Sequence, residues 1–202
     1  MALERSKRAI VASVGCLLAL ALSAPAAWAE DAFARFTTIS GALIPGDQPA
    51  IPGITAAKDA VQVFGTVLGI DSTVNFGSGA ISFGPVAARP LVLTKRIDRA
   101  SPRLLRSAFI QEALNVDIVW VMNLAGVKKQ SVSIRLERAY ITRIEASASL
   151  TGNDAANYED VHLVFTKVIH TVPTIDAAGN VTGTTISCLN VLSRTATSTA
   201  TC

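Results

Sequence analysis

Apolar and polar residues alternate most cleanly between Ser131 and Glu137. There Val132, Ile134 and Leu136 oppose Ser131, Ser133, Arg135 and Glu137. A period of two marks a strand with one buried face, of the antiparallel kind. The same rhythm runs through 116–124, where Val116, Ile118, Trp120, Met122 and Leu124 share a face against Asp117 and Asn123. In 90–98 it puts Leu91, Leu93 and Ile97 opposite Val92, Thr94, Arg96 and Asp98. Lys95 interrupts that apolar face, an arrangement in which the stem is buried and the charge reaches water. Further strands are expected at 31–39, 61–70, 74–84, 161–172 and 181–192, with a bulge where the pattern slips at Arg138–Ile141. Gly77 and Gly79 within 74–84 predict another bulge or a close backbone approach.

The period changes once. Ser101-Pro102 reads as a helix start, with Ser at the N-cap and Pro at the first helical position. Leu105, Ala108, Phe109 and Glu112 or Ala113 then fall on one stripe, predicting a helix over about 102–114. Pro45, Pro49 and Pro52 lack the amide donor that a sheet needs, so 41–52 is expected to be an extended loop. Turns are expected at 126–130, 151–154 and 176–180, and a flexible Ser/Thr-rich tail over 193–202. Many short strands and one helix define an all-β class, a barrel or a sandwich.

Composition adds a compartment. Arg5, Lys7 and Arg8 precede a charge-free apolar run over 9–24; Pro25 and Ala27-Trp28-Ala29 follow. That order is the signature of a cleavable export signal over 1–29, with the domain over 30–192. The apolar run is shorter than the roughly 20 residues that span a bilayer, so no stable membrane insertion is expected after cleavage. Setting those three basic residues and Glu4 aside from the 18 basic and 15 acidic ones leaves 15 and 14. A near-neutral chain gives no electrostatic case for a nucleic-acid partner. It also resists self-association poorly. A periplasmic or secreted location permits disulfides. Of three cysteines, Cys16 leaves with the signal, and Cys188 and Cys202 remain, to bridge internally, to link subunits or to stay as thiols.

Candidate chemistry is sparse. His162 and His170 fall on one predicted strand eight residues apart. The separation is roughly 26 Å, too far to share a metal. Gly77-Ser78-Gly79 lacks the third glycine and the following helix of a nucleotide loop. Glu159 and Asp160 point to opposite faces of a strand and read as solvated. No Gly-x-Ser-x-Gly elbow is present. Neither a catalytic, a cofactor nor a metal site is expected. Asn180-Val181-Thr182 matches a glycosylation acceptor, a pattern that chance supplies readily. Arg96, Arg99, Arg103 and Arg106 cluster at the helix start, either for an acidic patch on a partner or as a solvated face.

Three stretches, taken in order, resemble one family. They are Leu93-Thr94-Lys95-Arg96-Ile97-Asp98-Arg99-Ala100-Ser101-Pro102-Arg103-Leu104, the strand ending Ser133-Ile134-Arg135-Leu136-Glu137, and Val161-His162-Leu163-Val164-Phe165 running on to the turn at Asp176–Gly179. Together they are similar to the haemolysin-coregulated protein (Hcp) family of type VI secretion systems. The resemblance implies a β-barrel of two packed antiparallel sheets with one short helix. It also implies a non-enzymatic role: homo-hexameric rings that stack into a tube, carry effectors and meet other parts of a secretion apparatus. Loop 41–52 is the expected arm toward a neighbouring subunit. The alternatives are a secreted monomeric β-barrel binding module and, third, an envelope enzyme.

Overall fold

The computed structural model describes residues 30–77, 80–124, 126–149, 156–176 and 180–199. The expected export signal, the turn at 151–154 and Cys202 lie outside them. The class is all-β with one helix. In chain order the strands are β1 (Glu30–Thr38), β2 (Leu43–Ile44), β3 (Val61–Val67), β4 (Ile70–Gly77), β5 (Ala80–Ala88) and β6 (Leu91–Arg96). Helix α1 (Ser101–Phe109) precedes β7 (Leu114–Leu124), β8 (Val127–Ser149), β9 (Ala156–Val164), β10 (Lys167–Ile175), β11 (Val181–Asn190) and β12 (Thr195–Thr197).

Ten strands join in one antiparallel sheet with the order β12-β11-β10-β8-β7-β1-β3-β6-β9, and β2 pairs with β1. The path closes because β8 serves two edges. Its first half, up to Ala139, pairs with β7, and Tyr140–Ser149 pairs with β9. The irregularity expected near Arg138 is present: Arg138 has φ 47°, and the register with β7 shifts beside it. Inward residues form the main core, among them Phe36, Leu93, Ile118, Leu136 and Leu163. Leu104 and Ala100 close one end of that core from α1 and its entry.

A second cluster, Phe33, Ile51, Ile54, Ala57, Ala60, Val119 and Val121, lies apart from that core. Part of loop 41–52, the expected arm toward a neighbouring subunit, packs on its own chain here. Ile44 and Ile51 are buried, and Gly46 and Gln48 hydrogen-bond the backbone of Asp59 and Ala60. Only Leu43–Ile44 of this segment joins the sheet, as β2 on β1; from Pro45 on, the chain leaves it without leaving the core.

Three element boundaries differ from the sequence reading. The segment 74–84 is no single strand but spans the join of the β4–β5 hairpin, whose strands pair only with each other. Ser78 and Gly79, on which the expected bulge partly falls, lie outside the described residues. The stretch 161–172 divides into β9 and β10 at Phe165-Thr166. Inward positions run Val161, Leu163, Phe165 and then Val168, so the parity of the pattern changes across the break. The Ser/Thr-rich tail supplies β12, an edge strand on β11.

The helix is also shorter than the expected 102–114, because Gln111 takes φ 53° and turns the chain. Its N–H donates to the Ala108 carbonyl and that of Glu112 to the Ser107 carbonyl, the paired bonds of a left-handed C-terminal cap. Glycine adopts this conformation without steric cost. Gln111→Gly is therefore expected to stabilise the fold by about 0.5–1 kcal/mol, read as a rise in the urea midpoint. A fall would show that the Gln111 side chain makes a contact worth more than the relieved strain.

Candidate functional site

The motif Lys95-Arg96-Ile97-Asp98…Ser101 builds a buried polar knot where β6 meets α1. Lys95 is 0% exposed and occupies the third inward position of β6, after Leu91 and Leu93. Its ammonium reaches Glu159 Oε1 on β9 at 2.7 Å, the Arg96 carbonyl at 2.7 Å, Asp98 Oδ1 at 2.8 Å and Ser101 Oγ at 3.0 Å. Four acceptors surround three N–H bonds, so every proton has a partner. The expectation that this charge reaches water is corrected. So is the solvated reading of Glu159, which is 4% exposed and accepts a second bond, from Ser101 Oγ–H, at 2.7 Å. Asp160 faces the other way and accepts from Thr94 Oγ1 at 2.6 Å.

One cation meets two carboxylates here. The remaining negative charge lies at the start of α1, where helix amides favour it. Asp98 Oδ1 accepts from the Ala100 N–H at 3.0 Å, while Ser101 Oγ accepts from the Asp98 N–H at 3.0 Å. The expected cap by Ser101 is thus reversed: Ser101 is the first helical residue and Asp98 reaches the free amide before it. The knot fastens β6, β9 and the helix entry together. It offers no open position for a reactant, so its chemistry is structural.

The arginine cluster divides by role. Arg99 Nε donates to the Gly46 carbonyl at 2.6 Å, and its guanidinium lies 3.1 Å from Asp59 and 3.3 Å from Asp47, holding loop 41–52 to the helix entry. Arg103 meets both Glu112 oxygens at 3.2 Å, beside the cap of α1. Arg96 lies 5.4 Å above the Phe64 ring, whose edge-on partner is Tyr158. Arg106 is exposed on α1. Three of the four are thus committed within the chain.

The histidines are not on one strand, as the sequence reading had it. His162 is in β9, 3.5 Å from Glu145, and His170 is exposed in β10. Among the described residues no three His, Cys, Asp or Glu side chains converge as metal ligands would.

Two apolar faces are left open. On α1, Leu105 and Phe109 point outward, with Phe109 89% exposed, while Leu104 and Ser107 face the barrel. Of the stripe read from the sequence, Leu105 and Phe109 face solvent while Ala108 packs against the main core. The second face is on the β4–β5 hairpin. Phe76 and Ile81 are directly opposed across its two strands, at 81% and 61% exposure. A two-stranded ribbon is marginally stable by itself. At its base Arg89 grips both oxygens of Asp71 at 2.6 Å, and the Arg89 N–H donates to the Gly69 carbonyl. The hydrogen bond from Arg89 holds the Asp71 carboxyl below its ordinary pKa.

Sequence reasoning missed Glu159 as a functional partner and missed the hairpin face. The first left a signal, since Lys95 on an apolar face needs an inward acid. The second had its signal in a Gly-Ser-Gly between two β-rich runs.

Comparison with known proteins agrees with the fold. No curated protein gives a significant match. Among solved structures, one titled a type six secretion system protein superposes with TM-score 0.67 at 16% identity, covering 84% of this chain and all of its own. The Hcp1 protein of Salmonella typhimurium gives TM-score 0.62 at 21% identity, covering 84% of this chain and 99% of its own. The secreted protein Hcp3 of Pseudomonas aeruginosa is 26% identical with TM-score 0.51, over 77% of this chain and 97% of its own. The family model described as "Type VI secretion system effector, Hcp" matches residues 37–171, well over half of the chain and every residue of the Lys95 knot. On that match the chain belongs to the Hcp family of type VI secretion proteins.

Proposed function

We propose that this Hcp-family protein is an exported structural subunit that assembles into homo-hexameric rings, able to stack into a tube around effectors. The observation that carries the reading is the β4–β5 hairpin, which presents the Phe76–Ile81 pair to solvent while pairing with no other strand. A closed ring needs two different patches that meet head to tail. The hairpin face and the Leu105–Phe109 face of α1 are two such patches on separate elements. Export follows from the leader pattern over 1–29, which sends the chain to the periplasm or beyond. Its role is mechanical, with the buried polar chemistry spent on holding the barrel.

Light scattering of the purified protein is expected to give about six times the monomer mass. Phe76→Asp combined with Ile81→Asp is expected to reduce it to the monomer with an unchanged far-UV spectrum. A wild-type protein that stays monomeric at all concentrations overturns the ring and favours a secreted binding module.

A further inference from the structure

β1 and β3 part at one point of the wall. They pair through Ala34↔Val61, Phe33↔Gln62 and Ala32↔Val63. Beyond that last pair, among the described residues, β1 continues to Glu30 along β7 alone and β3 continues to Val67 along β6 alone. A bulge marks the parting, since the β3–β6 register shifts between Val63 and Gly65. Phe64 is thrown to the outer face there, where Arg96 lies 5.4 Å above its ring and Tyr158 meets it edge-on. Those contacts fix the bulge, a feature that often lies beside binding sites.

A cleft of about 220 Å³ opens at the gap, lined by Ala32, Val63, Phe64, Gly65, Thr66 and Trp120. Thr66 stands opposite the inward Leu93, and its Oγ1 is buried with no hydrogen-bond partner. A hydroxyl that has lost water without a replacement costs stability. Trp120 stands opposite Ala32 on β7 and is half-buried. The lining side chains carry two polar groups, the Thr66 hydroxyl and the Trp120 indole N–H, and no charge. The sheet adds a third element. Past Val63, the side of β3 that faces β1 pairs with no strand among the described residues. An open strand edge offers N–H and C=O groups side by side.

We infer that this cleft binds a small, neutral, planar amide. The amide presents a donor and an acceptor in one plane to the open edge of β3, as an added strand would. Its apolar body lies against Trp120. The Thr66 hydroxyl turns about its Cα–Cβ bond, from one staggered position to another, to meet the ligand. A charged ligand would give up its water and find no counter-charge at the lining. An alcohol or a hydrocarbon would leave groups of the edge unpaired. The site uses residues of one chain and does not depend on ring assembly.

The test uses the full chain carrying Trp28→Phe, so that Trp120 is its sole tryptophan. Benzamide is expected to change the Trp120 emission saturably, with a Kd of about 10 mM or tighter for a probe of this size. Benzoate, the same ring bearing a charge, is expected to bind about ten-fold more weakly. Thr66→Val is expected to weaken benzamide about five-fold. It is also expected to raise the urea midpoint, because a methyl group replaces the unpaired hydroxyl. Thr66→Ser keeps the hydroxyl and is expected to hold the affinity within about two-fold. A purely structural threonine would not weaken binding while its loss stabilises the fold. No saturation by about 50 mM benzamide, benzoate binding as tightly, or affinity indifferent to Thr66→Val overturns the site. So does a fall in the midpoint of Thr66→Val, which would show that the hydroxyl already has a partner. None of these readouts reports oligomer mass, so failure here is separable from failure of the ring.

Discussion

Lys95→Met is expected to destabilise the protein by about 3–5 kcal/mol, the usual result of removing one partner from a buried ion pair. The methionine fills the space of the lysine stem, so the loss is electrostatic rather than a cavity effect. It leaves the carboxylates of Glu159 and Asp98, at 5% and 10% side-chain exposure, facing each other without a cation. In a domain of this size the melting temperature falls by about 6–20 °C. Glu159→Gln added to Lys95→Met is expected to recover part of the loss, since it removes one stranded charge while keeping an acceptor for Ser101. Urea unfolding of the wild type, the single variants and the double variant forms the cycle that checks this. A loss below about 1 kcal/mol, the worth of an exposed pair, would show that the knot is not a buried ion cluster.

Gly46→Ala carries the second large effect. A methyl group at Gly46 would sit 2.2 Å from the Ala60 carbonyl oxygen and 2.5 Å from its carbon. Both are backbone atoms, and the Gly46 amide already bonds the Asp59 carbonyl at 2.8 Å, so neither side can yield without breaking that pairing. The expected cost is about 3 kcal/mol, at the upper end of overpacking. The position needs glycine for close approach. The loop and the Arg99 clamp shift together, so the cluster of Phe33, Ile51, Ile54, Val119 and Val121 loosens with them. The measurement is urea unfolding followed by the near-UV absorbance of Trp120. A cost under about 0.5 kcal/mol, the range of a neutral surface change, would contradict this packing.

The sequence made the class, the lone helix and most strands legible because period two survives wherever one face is wet. It failed where burial is not periodic. Ile44, Ile51, Ile54, Ala57 and Ala60 are scattered among prolines and glycines, and nothing in their spacing says that they cover β1 and β7. A signal existed on the other side of that contact. Val119 and Val121 interrupt the polar face of β7, and a strand apolar on both faces needs cover on both. The candidate site was legible only in part. Lys95 was visible as an anomaly, but its partner Glu159 lies 64 positions away in sequence, a distance that only the closed sheet resolves. The Leu105–Phe109 stripe shows the opposite difficulty. Helical period reveals that a face exists, and the barrel decides whether the chain itself covers it.

β8 gives the closed sheet a property that a stack of separate hairpins lacks. Its 23 residues form one hem stitched to β7 and β10 along the first part and to β9 along the rest. Neither half of the cylinder owns a strand that the other can lose without unravelling. Thermal or mechanical rupture of β8 therefore opens the wall on both of its sides at once.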